Sequence, residues 1–160
     1  MKKSPSSPKQ LAEINGISKS RKTISTKVTA IVGFSKNAGK TSLLNWLVRK
    51  DKSSKIGIIT TGRDGEALDS VYGHKKPEVR IPTRTYFTTF DYVIEEHSSY
   101  LEVIEKLPYR TSGKCLWLVK TLKDIETEIV GPVSVKEQIE LIRMLKEKEL
   151  QHIYVDGSLD

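Results

Sequence analysis

Cysteine is nearly absent from this sequence, since Cys115 is the single one among 160 residues. One thiol cannot form an internal disulfide and leaves no partner for a cysteine-based metal site. Because Cys115 lies within an apolar run, we interpret it as a small buried side chain rather than a reactive thiol. His74, His97 and His152 show no metal-ligand spacing with one another or with the cysteine. The sequence therefore does not predict a metal site built from imidazole or thiolate ligands.

Long hydrophobic runs are also missing. The longest, such as residues 116–119, are far shorter than the roughly 20 residues that a membrane-spanning helix needs. The N-terminus has the positive charge of a signal peptide, but no apolar segment follows it. With 37% apolar and 29% charged residues, the composition is typical of one globular domain. We therefore expect a cytoplasmic protein.

Acidic residues are scarce in one part of the chain, which explains the net charge of +7. Residues 1–30 contain 7 basic side chains and 1 acidic side chain, and the remaining residues contain 20 and 19. We interpret the Ser/Lys/Pro-rich residues 1–26 as a basic, disordered leader. Residues 27–160 form the predicted domain, and their nearly neutral charge gives no argument for a nucleic-acid partner.

A strand, a loop, a helix and a second strand follow the leader. Residues 28–32 and 55–61 are rich in β-branched side chains, as is typical of strands buried on both faces of a parallel sheet. Between them, leucine and valine recur at helical spacing over residues 41–50. This order predicts a βαβ unit.

The loop of this unit reads Gly-Phe-Ser-Lys-Asn-Ala-Gly-Lys-Thr over residues 33–41. Glycines let backbone N–H groups approach a phosphate, and the helix N-terminus adds unpaired N–H groups and the positive end of its dipole. Lys40 would neutralise the β- and γ-phosphates of a nucleotide, and the Thr41 hydroxyl would ligate Mg²⁺. The predicted nucleotide contacts are Gly33, Ser35, Lys36, Asn37, Ala38, Gly39, Lys40, Thr41 and Ser42.

Five residues separate Gly33 from the Gly39-Lys40 pair, whereas the common phosphate-binding loop (P-loop) has four. The longer form resembles the loop of dethiobiotin synthetase and of the cobyrinic acid amide synthetases. The alternative is a chance Gly-Lys-Thr in an ordinary loop between strand and helix.

Three acids are candidates for magnesium chemistry. Asp156 ends the last apolar strand, where a Walker B carboxylate holds the metal, although Asp-Gly is also a common turn pair. Asp64 and Glu66 follow the second strand, at the carboxyl end of the predicted sheet. Asp64 is our candidate for positioning the attacking water and a second candidate metal ligand, with an ordinary surface loop as the alternative.

The rest of the chain predicts further strands and one long helix. Residues 78–82 predict a short strand, and residues 90–105 predict one or two short helical pieces. Residues 114–121 and 127–130 read as neighbouring strands that could form a hairpin. Ser134, with glutamate three residues later, has capping-box spacing and predicts a helix that continues to residue 150.

Together these elements predict an α/β fold of the P-loop NTPase type. We expect three layers and a mostly parallel sheet, with the P-loop strand near the centre and an antiparallel pair at one edge. Since the sequence stops shortly after the strand that ends at Asp156, we expect the C-terminal part of the domain to be missing.

Beyond the loop, the order of motifs resembles the small P-loop subunit of the lysine aminomutase reactivases, over about residues 28–160. The resemblance is carried by the loop, Ile58-Ile59-Thr60-Thr61-Gly62-Arg63-Asp64-Gly65-Glu66, Asp69, Gly73, Lys76-Pro77, Gly131-Pro132 and Val155-Asp156-Gly157-Ser158-Leu159-Asp160. It implies an ATP-dependent chaperone that acts with a larger ATPase subunit to eject inactivated cofactor from a cobalamin-dependent aminomutase. Cobalamin itself is not implied as a ligand, because the Asp-x-His-x-x-Gly pattern is absent.

Other functions remain open on the sequence. A biosynthetic ligase of the dethiobiotin synthetase type would use the same loop to activate a carboxylate. A GTPase is less favoured than an ATPase, because the sequence contains no Asn-Lys-x-Asp for guanine recognition. A scaffold that keeps the loop without hydrolysing nucleotide is a third alternative.

Overall fold

In the computed structural model, residues 25–33, 39–61 and 79–158 are described. The leader up to residue 24 lies outside this part, as do loop residues 34–38 and the segment 62–78. The elements in chain order are β1 (Lys27–Gly33), α1 (Lys40–Lys50), β2 (Ile56–Thr61), β3 (Val79–Ile81), β4 (Thr85–Thr89), α2 (Asp91–Glu96), β5 (Leu101–Thr111), β6 (Lys114–Thr121), β7 (Ile125–Thr127), α3 (Val135–Glu147) and β8 (His152–Ser158).

Six of the strands form one sheet in the order β1-β8-β2-β4-β6-β5. The strands β1, β8, β2 and β4 are parallel neighbours, whereas β6 is antiparallel to both β4 and β5. The remaining two, β3 and β7, form a small antiparallel sheet. The predicted α/β class and the mostly parallel sheet are therefore confirmed. The predicted antiparallel pair at one edge of the large sheet is also confirmed, as β5 and β6.

Two helices cover opposite faces of the large sheet. Ile58 of β2 packs in the cluster that contains Leu44 of α1, and its chain neighbour Ile59 packs in the cluster that contains Leu141 of α3. Successive side chains of a strand point to opposite faces, so an apolar run such as β2 is buried on both sides. The result is a helix layer, a sheet layer and a second helix layer. No helix in the described residues is long and apolar enough to span a membrane.

The predicted capping of α3 is confirmed. The Ser134 hydroxyl oxygen accepts a hydrogen bond from the backbone N–H of Glu137 at 3.2 Å. This bond satisfies one of the N–H groups that the first turn of a helix leaves unpaired. The helix ends before Leu150, which is fully buried, and β8 begins two residues later.

The position of β1 corrects one expectation. Among the described residues β1 is the edge strand of the sheet, not a central one, because β8 lies between β1 and β2. Val28 and Val32 are 38% and 52% exposed there. The apolar run of β1 indicated a buried strand, but such a run does not specify how many neighbours a strand has.

The expected hairpin of residues 114–121 with residues 127–130 is wrong. The strand β6 pairs with β4 and β5, and β7, at residues 125–127, pairs with β3 in the small sheet. The short strand expected at residues 78–82 is present as β3, and α2 is the short helix expected within residues 90–105. The eleven-residue β5 was not predicted.

Candidate functional site

The helix α1 starts abruptly at the carboxyl end of β1. Gly39 precedes its first residue with φ 77° and ψ 16°, a left-handed conformation that glycine adopts freely. The carbonyl of Gly39 accepts the N–H of Leu43 at 2.9 Å, which is the first bond of the helix. A left-handed residue thus turns the chain from loop to helix directly before Lys40.

The N-terminus of α1 is free of competing groups in the part of the chain that the structure describes. No side chain caps it, and its first turn contains no acidic residue. Lys40 and Thr41 are both half-buried in that turn. The N–H groups of a first turn need partners from outside the helix, and the dipole favours an anion there.

Asp156 lies at the same edge of the sheet as this helix start. In the parallel pairing of β1 and β8, Asp156 is opposite Ile31 and Ser158 is opposite Gly33. Asp156 is also opposite Thr60 of β2. Since α1 packs against both β1 and β8, the structure brings the start of α1 and Asp156 to one edge of the fold.

The carboxylate of Asp156 is nearly enclosed. The residue is 9% exposed, and its Oδ1 accepts the N–H of Gly157 at 2.9 Å. No group of three or more His, Cys, Asp or Glu residues in the described ranges could hold a metal ion. Magnesium at nucleotide sites uses one or two carboxylates, phosphate oxygens and water, so the oxygen donors of Thr41 and Asp156 fit this ion.

Thr89 is a polar residue of this edge that the sequence analysis missed. It ends β4, is fully buried, and its hydroxyl has no hydrogen-bond partner among the described residues. An unpaired buried hydroxyl costs about 1–3 kcal/mol, and a water molecule or a ligand group would remove that cost. A threonine in a strand is ordinary, so the sequence contained no signal for it.

The remaining predicted site residues are not placed. Ser35, Lys36, Asn37, Ala38, Asp64 and Glu66 lie outside the described residues. The described ones are Gly33 at the end of β1, Gly39, Lys40, Thr41 and Ser42 at the start of α1, and Asp156 two residues before the end of β8, all towards the carboxyl edge of the parallel strands.

A second polar cluster lies at the opposite edge of the sheet. Asp51 follows the last residue of α1, and its Oδ2 accepts the Tyr154 hydroxyl at 2.6 Å and lies 2.9 Å from Nδ1 of His152. The other ring nitrogen of His152 is 2.8 Å from the hydroxyl of Thr29. These contacts join the end of α1 to β8 and β1. We name Asp51, His152 and Tyr154 the amino-edge cluster.

Comparisons of the chain with protein-family models, with curated proteins and with solved structures find no match.

Proposed function

We propose that this protein binds a nucleoside triphosphate, as its magnesium complex, at the carboxyl edge of the sheet. One observation carries the proposal. The helix α1 begins uncapped after left-handed Gly39, beside the parallel strand whose carboxyl end carries Asp156. Unpaired N–H groups, a lysine and a hydroxyl at one helix start, with a carboxylate at the same edge of the sheet, are the groups that a magnesium-bound triphosphate needs.

Each residue has a distinct proposed role. Lys40 neutralises phosphate charge, while Thr41 and Asp156 are the residues that would hold Mg²⁺. The ion, when bound, would screen the charge that develops on the phosphate oxygens. Asp64 is the proposed water-positioning residue from the sequence pattern.

We propose ATP as the nucleotide, with slow hydrolysis coupled to conformational change in a partner. The proposed partners are a larger ATPase subunit and a cobalamin-dependent aminomutase. The support for this role is the sequence resemblance to the reactivase subunits, and the preference for ATP is supported by the absence of Asn-Lys-x-Asp.

Calorimetric titration of Mg-ATP and Mg-GTP tests the nucleotide site. Lys40→Ala should lower affinity at least tenfold, because a hydrogen-bonded ammonium–phosphate contact is worth about 1.5–3 kcal/mol. Lys50→Ala is the matched control, since Lys50 is exposed in the last turn of the same helix. Equal affinity of wild type and Lys40→Ala, or no binding of either nucleotide, would contradict the proposal.

The partner role has a separate test. The chain, Mg-ATP and the larger subunit are added to an aminomutase that contains inactivated cobalamin. Recovery of mutase activity with wild type but not with Lys40→Ala supports the role, and the absence of recovery with wild type contradicts it.

A further inference from the structure

A cleft of about 750 Å³ opens at the amino edge of the parallel strands, away from the proposed nucleotide site. Its walls include Ile56 at the start of β2, the turn before β4 and the end of β6. The volume lies within the range of about 300–1,000 Å³ that is usual for small-molecule sites.

Three cations from separate elements line this cleft. They are Arg49 in the last turn of α1, Arg84 in the turn before β4, and Lys120 near the end of β6. Both arginines are exposed, and the side chain of neither makes an ion pair or hydrogen bond within residues 25–33, 39–61 and 79–158. Lys120 is bound to Glu102 at 2.7 Å. As far as the described residues are concerned, two guanidinium groups therefore have no protein partner.

The two carboxylates that line the cleft are engaged by the protein. His152, Tyr154 and the N–H of Ser53 contact the carboxylate of Asp51. Asp124 accepts the N–H of Thr83 at 2.8 Å and so holds the turn before β4. The carboxylate oxygens of Asp51 and Asp124 thus have donors from the protein, and Lys120 has Glu102, whereas the side chains of Arg49 and Arg84 have no acidic partner in the described part of the chain.

Arg84 has a backbone conformation that glycine would adopt at lower cost. Its φ is 62°, in the left-handed region that L side chains rarely adopt. Its N–H donates to the carbonyl of Thr121 at 2.9 Å, which fixes the arginine beside the wall of the cleft. Strained backbone occurs often at functional residues, so the φ of Arg84 marks it as a candidate ligand-binding residue of the cleft.

We propose that this cleft binds a small organic anion that carries phosphate or carboxylate groups on an apolar body. The guanidinium groups of Arg49 and Arg84 bind the anionic groups, because a planar guanidinium can donate two parallel hydrogen bonds to the oxygens of a phosphate or a carboxylate. The apolar body contacts Val48, Ile56 and Leu122, of which Leu122 is 51% exposed. This site does not depend on the proposed nucleotide function, since the two lie at opposite edges of the sheet.

Titration of the full chain with anions tests the proposal. The two probes are inorganic pyrophosphate and glutarate, and the readout is the chemical shift of the amide resonances of Thr83 and Leu122 in NMR spectra. Constant ionic strength removes general screening as a cause of the shifts. We expect at least one probe to give saturable shifts, and the two probes distinguish a phosphate from a carboxylate ligand. The absence of saturable shifts with both probes overturns the proposal.

Variants distinguish anion binding in this cleft from a general effect of losing one positive charge. Arg84→Gly and Arg49→Gln should each lower affinity about tenfold, as expected for the loss of one charged hydrogen-bonding group. Arg84→Gly should not lower the melting temperature, because glycine adopts this φ freely. Arg143→Gln, an exposed arginine of α3, is the control and should bind as wild type does. Equal losses in all three variants overturn the proposal.

Lys40→Ala separates the two sites. Binding of the probe in the cleft should persist in this variant, whatever its effect on nucleotide. Loss of the Thr83 and Leu122 shifts in Lys40→Ala would assign the anion to the carboxyl edge and overturn the cleft proposal.

Discussion

The phenolic oxygen of Tyr154 lies 2.6 Å from Oδ2 of Asp51, and this contact joins the last strand to the residue that follows the first helix. Burial by itself raises the pKa of Asp51. Hydrogen bonds from Ser53, Tyr154 and His152 outweigh burial and hold the pKa at about 2, below the ordinary 3.8. Burial and the Asp51 carboxylate both raise the pKa of Tyr154, so its phenol stays protonated as a donor.

The amino-edge cluster should make stability depend on pH in acid. Because the pKa of Asp51 is lower in the folded state than in the unfolded state, its stabilisation is present above about pH 4. It should decrease as the pH falls from about 4 to about 2. This lowering of the Asp51 pKa corresponds to about 2 kcal/mol in the free energy of unfolding at neutral pH. Urea unfolding of wild type and Asp51→Asn from pH 7 to pH 2 measures it, and the two curves should converge in acid.

The Tyr154→Phe variant measures the contribution of the tyrosine hydroxyl to stability separately from that of the Asp51 carboxylate. It removes one donor to Asp51 and should cost about 1–2 kcal/mol at neutral pH, with the remaining acid dependence smaller than in wild type. A constant difference between wild type and Asp51→Asn at every pH would show that the carboxylate does not hold a lowered pKa.

Gly131→Ala should destabilise the fold severely. A Cβ at Gly131 would overlap the backbone carbonyl of Thr60 at the end of β2. The segment cannot easily move away, because the Gly131 carbonyl accepts the Thr111 hydroxyl at 2.7 Å and the neighbouring Val130 carbonyl accepts the Thr88 hydroxyl at 2.6 Å. We expect a loss of about 3 kcal/mol or more in the free energy of unfolding, measured with urea.

Gly113→Ala is the comparison for that variant. Gly113 has φ 79°, but a Cβ there would contact nothing within 4 Å. The cost should therefore be limited to about 1–2 kcal/mol of backbone strain. A similar small loss for Gly131→Ala would contradict the close approach to β2.

Asp156→Asn should weaken the magnesium dependence of nucleotide binding if the proposed site is correct. Replacing a carboxylate by an amide removes the charge that attracts the cation while keeping the shape. We expect the gain in ATP affinity on adding Mg²⁺ to fall at least about fivefold relative to wild type, measured by calorimetry with and without Mg²⁺. Asp91→Asn, on an exposed residue of α2, should retain the full gain. An unchanged gain in Asp156→Asn removes this residue from the proposed metal site.

The cap of α3 should contribute measurably to stability. Ser134→Ala removes the acceptor for the N–H of Glu137 and should cost about 1 kcal/mol. Ser134→Asp keeps an acceptor at the same position and should restore most of the loss. Thermal unfolding of the three proteins checks this, and a stable Ser134→Ala would mean that solvent replaces the cap.

The sequence predicted the elements whose local pattern is complete. Residues 28–32 and 55–61 have the continuous apolar character of parallel strands, and both are strands of the parallel sheet. Burial on both faces was correct for β2 and wrong for β1, which is largely exposed. The spacing of Ser134 and Glu137 fixed the start of α3. Asp156 was expected to end its strand, and the apolar run before it did locate β8, but the strand continues for two residues to Ser158.

Strand β5 illustrates what a local pattern misses. Its register shifts between Val103 and Glu105 and again between Lys106 and Arg110, so inward and outward residues do not alternate regularly. Pro108 also argues against a strand in the sequence, although an edge strand accepts proline. The sequence pattern missed β5 because its pairing is irregular, and not because its residues are weakly hydrophobic.

The amino-edge cluster and the cleft beside it could not be predicted from the sequence for a different reason. Asp51 and Tyr154 are 103 residues apart, and no spacing rule connects them. The left-handed backbone of Arg84 has no sequence signature either, since glycine or asparagine would be expected at such a position. Contacts across the sheet and strained dihedral angles follow from the assembled fold.

The place of β8 between β1 and β2 has a consequence for how the chain folds. Neighbouring residues of β1 and β8, such as Thr29 and Tyr154, are separated by more than 120 positions in the sequence. Closing so long a loop costs entropy before any contact repays it, and sheets dominated by such pairings form slowly. During synthesis, β1 and β2 have no common neighbour until β8 leaves the ribosome. The middle of the sheet can therefore be completed only after β8 has been synthesised.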